Sequence, residues 1–193
     1  MSFMKTYNGN KFFVTEPQRT KFDLHDIAHA LSNLCRFGGH TQSFYSVAQH
    51  SVMVADIVAG TPGSTPDDEL WGLFHDATEA YMIDLPTPIK VTLPEYGKRE
   101  EALMDLLIDA LKLPPHDGPG QLPAVVKSAD AVALVTEARQ LMFGGVSDWS
   151  EPFQKITPFP GKIEPLAPEE AKALFLNRFA DIKRRRKAAR HAS

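Results

Sequence analysis

Three ionisable residues interrupt an otherwise apolar helical pattern in the stretch Leu70–Tyr81. On a helix that turns by ~100° per residue, Asp76 lies ~100° from His75, and Glu79 returns to within ~40° of His75. Because burying such groups without a partner costs free energy, a divalent transition metal bound by the imidazole and a carboxylate would explain their position. The alternative is a helix whose polar face contains these three residues by chance. The rest of the chain decides between the two interpretations.

The spacing of apolar residues elsewhere predicts an all-α fold, because it follows the helical period. The first helix is expected to end at Gly38-Gly39, which leaves Arg36 in its last turn, and Ser43 is the expected N-cap of the second. Phe12-Phe13-Val14 is expected to form a short strand or an extended lead-in, with no series of strands elsewhere. The predicted helices cover about 26–36, 44–59, 66 onward through the His75 region, 98–112, 122–142 and 168 onward.

Length and composition indicate a single domain in a reducing compartment. The 193 residues suffice for one domain, residues 1–193, with a substantial core, and two would be cramped. The single cysteine, Cys35, excludes an intrachain disulfide and is expected to be a buried packing thiol. The sequence has neither a signal-peptide layout nor an apolar run of ~20 residues, so we expect a cytoplasmic, soluble protein with no membrane partner.

The charge balance argues against a general role in binding nucleic acid. The net charge is −3, which indicates no overall surface for polyanions. Basic residues concentrate from about residue 183, in Lys183-Arg184-Arg185-Arg186-Lys187, where they favour a helix C-terminus. We expect a solvated, fraying tail there and no stable nucleic-acid complex.

Two more ionisable residues lie inside apolar helical patterns. His50 is the only strongly polar residue in the central part of the second helix, and Asp130 lies among small residues in the fifth. Helices that each bury one or two potential ligands predict a shared centre between them, which His75 and Asp76 would complete. Two imidazoles and two carboxylates, with positions left for water, suit one divalent transition metal ion (Zn, Mn, Co, Fe or Ni) better than Mg or Ca. For His50 alone, a core histidine satisfied by hydrogen bonds is the alternative.

This order of residues, a histidine, then a histidine–aspartate pair, then an aspartate, resembles the HD superfamily of metal-dependent phosphohydrolases. The similarity is closer to the bacterial HD-domain 5′-deoxynucleotidases and the related phage deoxynucleoside triphosphohydrolases. It implies an all-α HD-domain helical bundle with the metal site between its central helices. The blocks span about residues 36–131, about half of the chain, and five blocks in this order are a specific signal. They are Arg36-Phe37, Ser46-Val47-Ala48-Gln49-His50-Ser51, His75-Asp76-Ala77-Thr78-Glu79, Asp84-Leu85-Pro86-Thr87-Pro88-Ile89-Lys90 and Lys127-Ser128-Ala129-Asp130-Ala131.

The resemblance implies a metal site surrounded by catalytic side chains. The implied metal ligands are His50, His75, Asp76 and Asp130. Glu79 would orient or deprotonate the attacking water, and Arg36 would hold the phosphate. Asp84 would serve the sugar or the leaving-group side.

Other positions bear on the expected substrate. Phe37 stands where the deoxynucleotidases typically have tryptophan, a position linked there to sugar discrimination, so strictness for deoxyribose stays open. Lys90 and Lys127 are further candidates for phosphate contacts. His25 and His29 are expected to be surface or capping residues. The resemblance also implies a homo-oligomer.

Three functions remain open at the level of the sequence. The first is a 5′-deoxynucleotidase that converts a dNMP to a deoxynucleoside and phosphate. The second is a triphosphohydrolase that converts a dNTP, for example dATP, to a deoxynucleoside and triphosphate. Both attack the same α-phosphorus, so the catalytic residues do not separate them. The third is a non-catalytic nucleotide-binding module, against which Glu79 argues because a binder needs no water-activating carboxylate.

Overall fold

The computed structural model describes residues 2–114 and 121–192. The chain is mostly helical, as predicted, and contains a two-stranded sheet. No helix within these two stretches is both long and apolar enough to cross a membrane. The helices are α1 (Leu24–Asn33), α2 (Val47–Ala59), α3 (Pro66–Phe74), α4 (Glu79–Met82), α5 (Thr87–Lys90), α6 (Pro94–Leu111), α7 (Ala124–Leu141), α8 (Glu151–Gln154) and α9 (Pro168–Ala192).

The two strands form an N-terminal hairpin, where the sequence predicts a strand or an extended lead-in around Phe12. β1 (Met4–Lys5) pairs antiparallel with β2 (Lys11–Phe12), and the Phe12 ring is buried in the core. The hairpin is held on the helical body by Asp26 of α1, whose carboxylate accepts three hydrogen bonds. The donors are Thr6, Asn8 and Asn10.

α2 is the central helix of the fold. It packs against α1, α3, α7 and α9, which explains why apolar residues occur on every side of it. Ser46 caps its first turn by accepting a hydrogen bond from the backbone N–H of Gln49. The prediction of Ser43 as the cap is wrong, because the chain just before the helix is held extended by a backbone bridge between Ser46 and Cys35.

α1 ends earlier than predicted, so Arg36 does not lie in its last turn. The helix stops at Asn33, and the backbone is then extended as far as Cys35, which is half-buried. Arg36 begins a 3-10 turn that continues to Gly39 and contains left-handed backbone at Phe37, with φ 54°. The glycines therefore end this turn and not α1.

The helix predicted around His75 is interrupted. α3 ends at Phe74, residues 75–78 form turns, and α4 begins at Glu79. Within this segment the Glu79 N–H donates to the Asp76 carbonyl, three residues back, so the chain is wound more tightly than an α-helix. The prediction of one continuous helical sector is therefore wrong, although Asp76 and Glu79 still line one cavity.

α3 lies very close to α2 at Gly72. A Cβ atom at this position would lie 3.1 Å from the Cα of Ala55 and 3.3 Å from its backbone nitrogen. Any larger residue would push the two helices apart. Gly72 therefore sets the spacing between the helix that carries His50 and the turn that carries His75.

The basic C-terminal residues belong to a helix that packs on the rest of the fold and not to a fraying tail. α9 continues to the last described residue and packs against α1, α2 and α3. Arg185 pairs with the buried Glu69 of α3, and Arg186 pairs with Asp67 in the first turn of α3. The predicted fraying from about residue 183 is wrong, because these two arginines hold α9 on α3, whereas the side chains of Lys183, Arg184 and Lys187 are exposed to solvent as predicted.

Candidate metal centre

Two buried histidines, one on α2 and one just after α3, turn the same ring atom toward each other. Nδ1 of His50 lies 2.7 Å from Oε1 of Glu137, and Nδ1 of His75 lies 2.8 Å from the carbonyl oxygen of Gly72. A carboxylate and a carbonyl oxygen only accept hydrogen bonds, so each Nδ1 carries a hydrogen and donates it. In the neutral ring each Nε2 then presents a lone pair, and the two Nε2 atoms are 3.2 Å apart.

Asp76 completes a cluster that can hold a metal ion. One ligand atom from each of His50, His75 and Asp76 lies within 4.8 Å of the others. Oδ2 of Asp76 is 3.2 Å from His75 Nε2 and 3.5 Å from His50 Nε2. Two ligands at ~2.1 Å from one ion are separated by ~3.0 Å at a right angle and by ~3.4 Å at the tetrahedral angle. The predicted grouping of these three residues is confirmed, whereas metal binding and the identity of the metal stay predictions.

Asp130 of α7 lies beside this cluster, where the sequence predicts a fourth ligand. Its Oδ1 is 3.3 Å from His50 Nε2 and 3.8 Å from His75 Nε2. The shorter separation suits a shared ion, and the longer one corresponds to a wide ligand–metal–ligand angle of ~130°. The side chain is 41% exposed, so it can adjust toward an ion. Its role as a ligand stays a prediction.

Protons and a metal ion compete for the ring nitrogens of this cluster. Burial lowers the pKa of His50, but Glu137 and Asp130 raise it to about 10. Burial also opposes ionisation of Asp76, but His75 holds the pKa of this carboxyl well below its usual range. Without a metal, the His50 imidazole therefore takes up a proton beside ionised carboxylates. Metal binding would displace that proton, so metal affinity should increase with pH.

Glu137 is a functional candidate that the sequence interpretation missed. It is 0% exposed on α7, and its two oxygens lie 2.7 Å from His50 Nδ1 and 3.3 Å from Arg36 Nη2. A carboxylate behind a metal-binding imidazole fixes the orientation of the ring and makes it a more basic ligand. The spacing contains a signal: Glu137 follows Asp130 by seven residues, so the two acids lie ~20° apart on one face of α7.

Arg36 lies between two carboxylates at the edge of the cluster. Its Nη1 is 3.7 Å from Oδ2 of Asp84, and its Nη2 is 3.3 Å from Oε2 of Glu137. Burial lowers the pKa of Arg36, but the neighbouring carboxylates raise it above its usual value, so the guanidinium stays charged. The ring centre of Phe37 is 5.5 Å from the guanidinium carbon. The predicted phosphate-binding and sugar-side residues therefore lie together.

Glu79 is buried, and one of its oxygens has no hydrogen-bond partner among the described residues. Burial raises the pKa of Glu79 well above its usual range, and the charges of Asp76 and Asp84 raise it further. Buried polar atoms are normally hydrogen-bonded, so an unpartnered carboxyl oxygen requires an explanation. A group that binds and deprotonates water would provide one. The catalytic role of Glu79 stays a prediction.

A polar cavity of about 170 Å³ lies against the cluster. Its charged lining residues are Arg36, Asp76, Glu79, Asp84, Lys90 and Asp130. Lys90 also donates a hydrogen bond of 2.9 Å to Glu100. Lys90 and Asp76 line a second cavity as well, of about 230 Å³, which reaches Trp71 and α6. Two of the predicted phosphate contacts, Arg36 and Lys90, therefore border the same space.

Asp84 follows a residue with strained backbone. Ile83 adopts φ 63° and ψ 156°, a conformation that costs a β-branched residue ~1–3 kcal/mol. The hydroxyl of Tyr96 lies 2.6 and 2.7 Å from the carbonyl oxygens of Met82 and Ile83 and holds this segment on α6. Strained backbone concentrates at functional sites, which supports a functional role for the segment that carries Asp84.

Three predicted positions lie apart from this group. Lys127 is exposed on α7 and, within the described part of the chain, lines neither of the two cavities. His29 stacks on Tyr7 with ring centroids 3.7 Å apart, and His25 is exposed in the first turn of α1. His25 is thus on the surface, as the sequence predicts, whereas His29 is half-buried beneath Tyr7, so the prediction is wrong for His29. The structure gives Lys127 no position in the two cavities.

Comparisons with known proteins find relatives along almost the whole chain. No family model matches the sequence. The chain is 38% identical over 192 residues to the uncharacterized protein YfdR of Escherichia coli (strain K12), covering 98% of this chain and 100% of YfdR. It is 30% identical over 188 residues to the uncharacterized protein RCAP_rcc00048 of Rhodobacter capsulatus, covering 92% of this chain and 93% of that protein. The similarity therefore extends well beyond the metal cluster.

Proposed function

The chain belongs to the family of the Escherichia coli protein YfdR, and we propose that it is an HD-type, metal-dependent phosphohydrolase that removes the 5′ phosphate from 2′-deoxynucleotides. The observation that carries this proposal is the polar cavity beside the cluster of His50, His75 and Asp76. Arg36 and Glu79 line that cavity. A metal site, a permanent positive charge and an unpartnered carboxyl group are the parts that hydrolysis of a phosphate ester requires.

The donor set of the cluster fits a divalent transition metal. His50 and His75 direct their Nε2 atoms to one point, and the oxygens of Asp76 and Asp130 approach the same point. When bound, the ion would polarise a phosphoryl oxygen and lower the pKa of water. We expect Zn, Mn, Co, Fe or Ni, since hard cations such as Mg and Ca prefer oxygen ligands.

Arg36 is the proposed phosphate-binding residue. Its planar guanidinium can donate two parallel hydrogen bonds to phosphate oxygens. Asp84 and Glu137 flank the guanidinium, so it is held in place before the substrate binds. Such preorganisation favours the transition state, because no reorientation is needed as charge develops.

Glu79 and Asp84 are the proposed proton carriers. Glu79 accepts a proton from the attacking water, since its side chain lines the cavity and one of its buried oxygens has no hydrogen-bond partner among the described residues. Burial raises the pKa of Asp84, which suits a group that donates a hydrogen bond or a proton to the departing sugar oxygen. Phe37 forms an apolar wall on the Arg36 side of the cavity, where the sugar would lie.

The charge of the cavity favours a monophosphate over a triphosphate. Its cationic lining residues in the described chain are Arg36 and Lys90, and Lys90 already pairs with Glu100. The carboxylates of Glu79 and Asp84 would repel the additional charges of a triphosphate. One observation favours triphosphohydrolase activity as the second candidate: the adjoining cavity of about 230 Å³ shares Lys90 and offers space for more phosphates.

The deciding experiment uses metal-free protein reloaded with one metal at a time. Incubation with dAMP, AMP and dATP, followed by phosphorus NMR of the products, separates released phosphate from released triphosphate. We expect phosphate from dAMP, no turnover after chelation, and recovery when a transition metal is restored. Triphosphate from dATP would select the second candidate, and binding without turnover with every metal would favour a non-catalytic module. The ratio of dAMP to AMP turnover measures the strictness for deoxyribose.

A further inference from the structure

Glu137 joins the two halves of the proposed site through its two carboxylate oxygens. Oε1 lies 2.7 Å from His50 Nδ1, whereas Oε2 lies 3.3 Å from Nη2 and 3.4 Å from Nε of Arg36. The side chains of Glu137 and His50 are fully buried, and that of Arg36 is nearly so. A turn of this carboxylate therefore alters its contact with both neighbours at once.

We propose that Glu137 is a positioning residue that couples the metal-binding histidine His50 to the phosphate-binding arginine Arg36. This inference rests on the proposed function, which assigns the metal to His50 and the phosphate to Arg36. Glu137 contacts neither ligand itself. It keeps a hydrogen on Nδ1 of His50, which leaves Nε2 free for the metal, and it holds the guanidinium at the edge of the same cavity.

The alternative role for Glu137 is a buried ion pair that only stabilises the fold. The chain contains such a pair for comparison, because the buried Glu69 of α3 binds Arg178 and Arg185 of α9. Glu69 directs both oxygens to arginines. Glu137 divides its oxygens between an arginine and an imidazole whose other nitrogen belongs to the metal cluster. The two glutamates are thus matched in burial and differ in what they position.

An amide in place of the carboxylate can serve only one of the two neighbours. In Glu137→Gln, the amide oxygen accepts from one neighbour while the NH₂ group faces a donor of the other. If the oxygen faces Arg36, the NH₂ group meets Nδ1 of His50 and forces the ring hydrogen onto Nε2, where it blocks the metal. If the oxygen faces His50, the NH₂ group displaces the guanidinium. Either orientation therefore damages one of the two functions.

The test measures the two ligands separately on wild-type protein and on Glu137→Gln. Competition with a chromophoric chelator gives the affinity for Zn²⁺, and calorimetry gives the affinity of the Zn-loaded protein for inorganic phosphate. We expect Glu137→Gln to lose about 10- to 100-fold in affinity for at least one of these ligands. The absorption spectrum of the Co²⁺-loaded protein shows whether a lost metal affinity accompanies a changed ligand set.

A double variant separates positioning from a simple loss of charge. When Arg36→Met is combined with Glu137→Gln, the amide oxygen is free to accept from His50. If Glu137→Gln alone has lost affinity for Zn²⁺, the double variant should regain it. Its Zn²⁺ affinity should lie within about threefold of that of Arg36→Met, a margin set by ordinary non-additivity. Phosphate affinity should not return, because the guanidinium is missing.

Two further variants complete the design. Glu69→Gln is the matched control and should lower Tm while leaving both affinities unchanged. Glu137→Asp keeps the charge but is one methylene shorter, so it cannot reach both neighbours. Glu137→Asp replaces Glu137→Gln in both affinity measurements if Glu137→Gln does not fold. We expect it to lose about tenfold in affinity for Zn²⁺, for phosphate or for both.

The outcomes distinguish this inference from the proposed function. Wild-type-like affinities for both ligands in Glu137→Gln and Glu137→Asp would overturn the inference and leave the proposed function intact. An equal loss in Glu69→Gln would also overturn it, because the effect would then be one of stability alone. Ligand affinities that fall as expected in a protein that hydrolyses no deoxynucleotide would contradict only the proposed function. The two fail together only if the wild-type protein binds no transition metal.

Discussion

Two polar clusters join the helices, and they differ in how their charges are balanced. In the first, which we call the arginine cluster, four arginines face four carboxylates. Its members are Arg178, Arg184, Arg185 and Arg186 of α9, with Asp56, Asp67, Glu69 and Asp181. At the candidate metal centre, five carboxylates face two cationic side chains among the described residues. Its members are Asp76, Glu79, Asp84, Asp130 and Glu137, with Arg36 and Lys90, around the imidazoles of His50 and His75.

This difference in charge balance distinguishes a cluster that stabilises the fold from a cluster that is suited to binding a metal ion. Buried charges cost free energy unless they are paired, and the arginine cluster pairs each carboxylate with a guanidinium. When its imidazoles are neutral, the metal centre directs nitrogen and carboxylate lone pairs to one point and has too few positive charges to balance its acids. A divalent cation would remove most of that imbalance. The charge balance alone therefore predicts opposite results for substitutions in the two clusters.

The largest expected effect is that of His75→Ala. The substitution removes a ligand, so we expect loss of bound metal and a decrease in kcat/KM of at least about 10³-fold, since both the metal and its electrostatic stabilisation are lost. Elemental analysis and steady-state kinetics measure the two quantities. Glu69→Gln in the arginine cluster should affect stability and not metal binding. It should lower the free energy of unfolding by about 3 kcal/mol and leave the metal content unchanged. Full metal occupancy in His75→Ala would refute the assignment of the centre.

The next largest effect is expected for Glu79→Gln, which should keep the metal and lower kcat by about 10²-fold or more. Because burial raises the pKa of Glu79, the protonated form persists to higher pH than usual, and the basic form increases as pH rises through that pKa. Wild-type kcat should therefore rise as pH increases through the pKa of Glu79. The variant should lose that dependence, and a pH profile identical to that of the wild type would show that another group activates the water.

The metal ligands could be predicted from the sequence because each is a local anomaly. A histidine or aspartate in an otherwise apolar helical stretch is visible without any knowledge of tertiary structure, as at His50, His75 and Asp130. The break between Phe74 and Glu79 could not be predicted, because no glycine or proline marks it. Neighbouring helices decide that geometry, and they override local helical periodicity.

The residues that support the site and the fold gave weaker signals. Glu137 was missed because a single glutamate on a helix usually faces solvent, and its two partners lie on distant parts of the chain. Arg185 and Arg186 resemble an ordinary basic helix end, since the acids they meet belong to α3. Ion-pair partners are a property of packing, so charge patterns alone could not identify them. Spacing could have identified Glu137, seven residues after Asp130.

A third polar cluster tests whether a balanced set of contacts contributes stability without function. The Asp26 carboxylate accepts hydrogen bonds from the N-terminal hairpin. Burial raises the pKa of Asp26, but hydrogen bonds from Asn10, Thr6 and Asn8 lower it below its usual value of 3.8. Because the folded-state pKa is the lower one, the stabilisation is complete above the unfolded value and is lost as pH falls through the folded pKa. Asp26→Asn should therefore lower the free energy of unfolding by about 2 kcal/mol at neutral pH.

Urea denaturation at a series of pH values measures this difference. It should shrink as pH falls below about 4, where the Asp26 carboxylate of the unfolded wild-type chain begins to be protonated while that of the folded chain is still ionised. Metal content and kcat should match those of the wild type throughout. A loss of metal in Asp26→Asn would mean that the hairpin supports the centre, and the separation between stabilising and binding clusters would fail.

The smallest expected effect is a change in KM that distinguishes the two lysines predicted from the sequence to contact phosphate. Lys90 lines both cavities and donates to Glu100, whereas Lys127 is exposed on α7. Removing Lys90 takes one cation from the cavity, so Lys90→Ala should raise KM about tenfold, equivalent to about 1.4 kcal/mol. Lys127→Ala is its matched control and should leave KM unchanged.

Ionic strength makes this comparison sharper. An exposed lysine attracts an anionic substrate only through a field that salt screens over about 8–10 Å, so any small effect of Lys127→Ala should vanish as salt is raised. A lysine in direct contact with the phosphate in a half-buried cavity is screened much less, and the Lys90→Ala effect should persist at high salt. If Lys90→Ala and Lys127→Ala raised KM by the same factor at high salt, the cavity between Arg36 and Lys90 would not be the phosphate site. The excess of carboxylates around it would then have to be balanced by the metal alone.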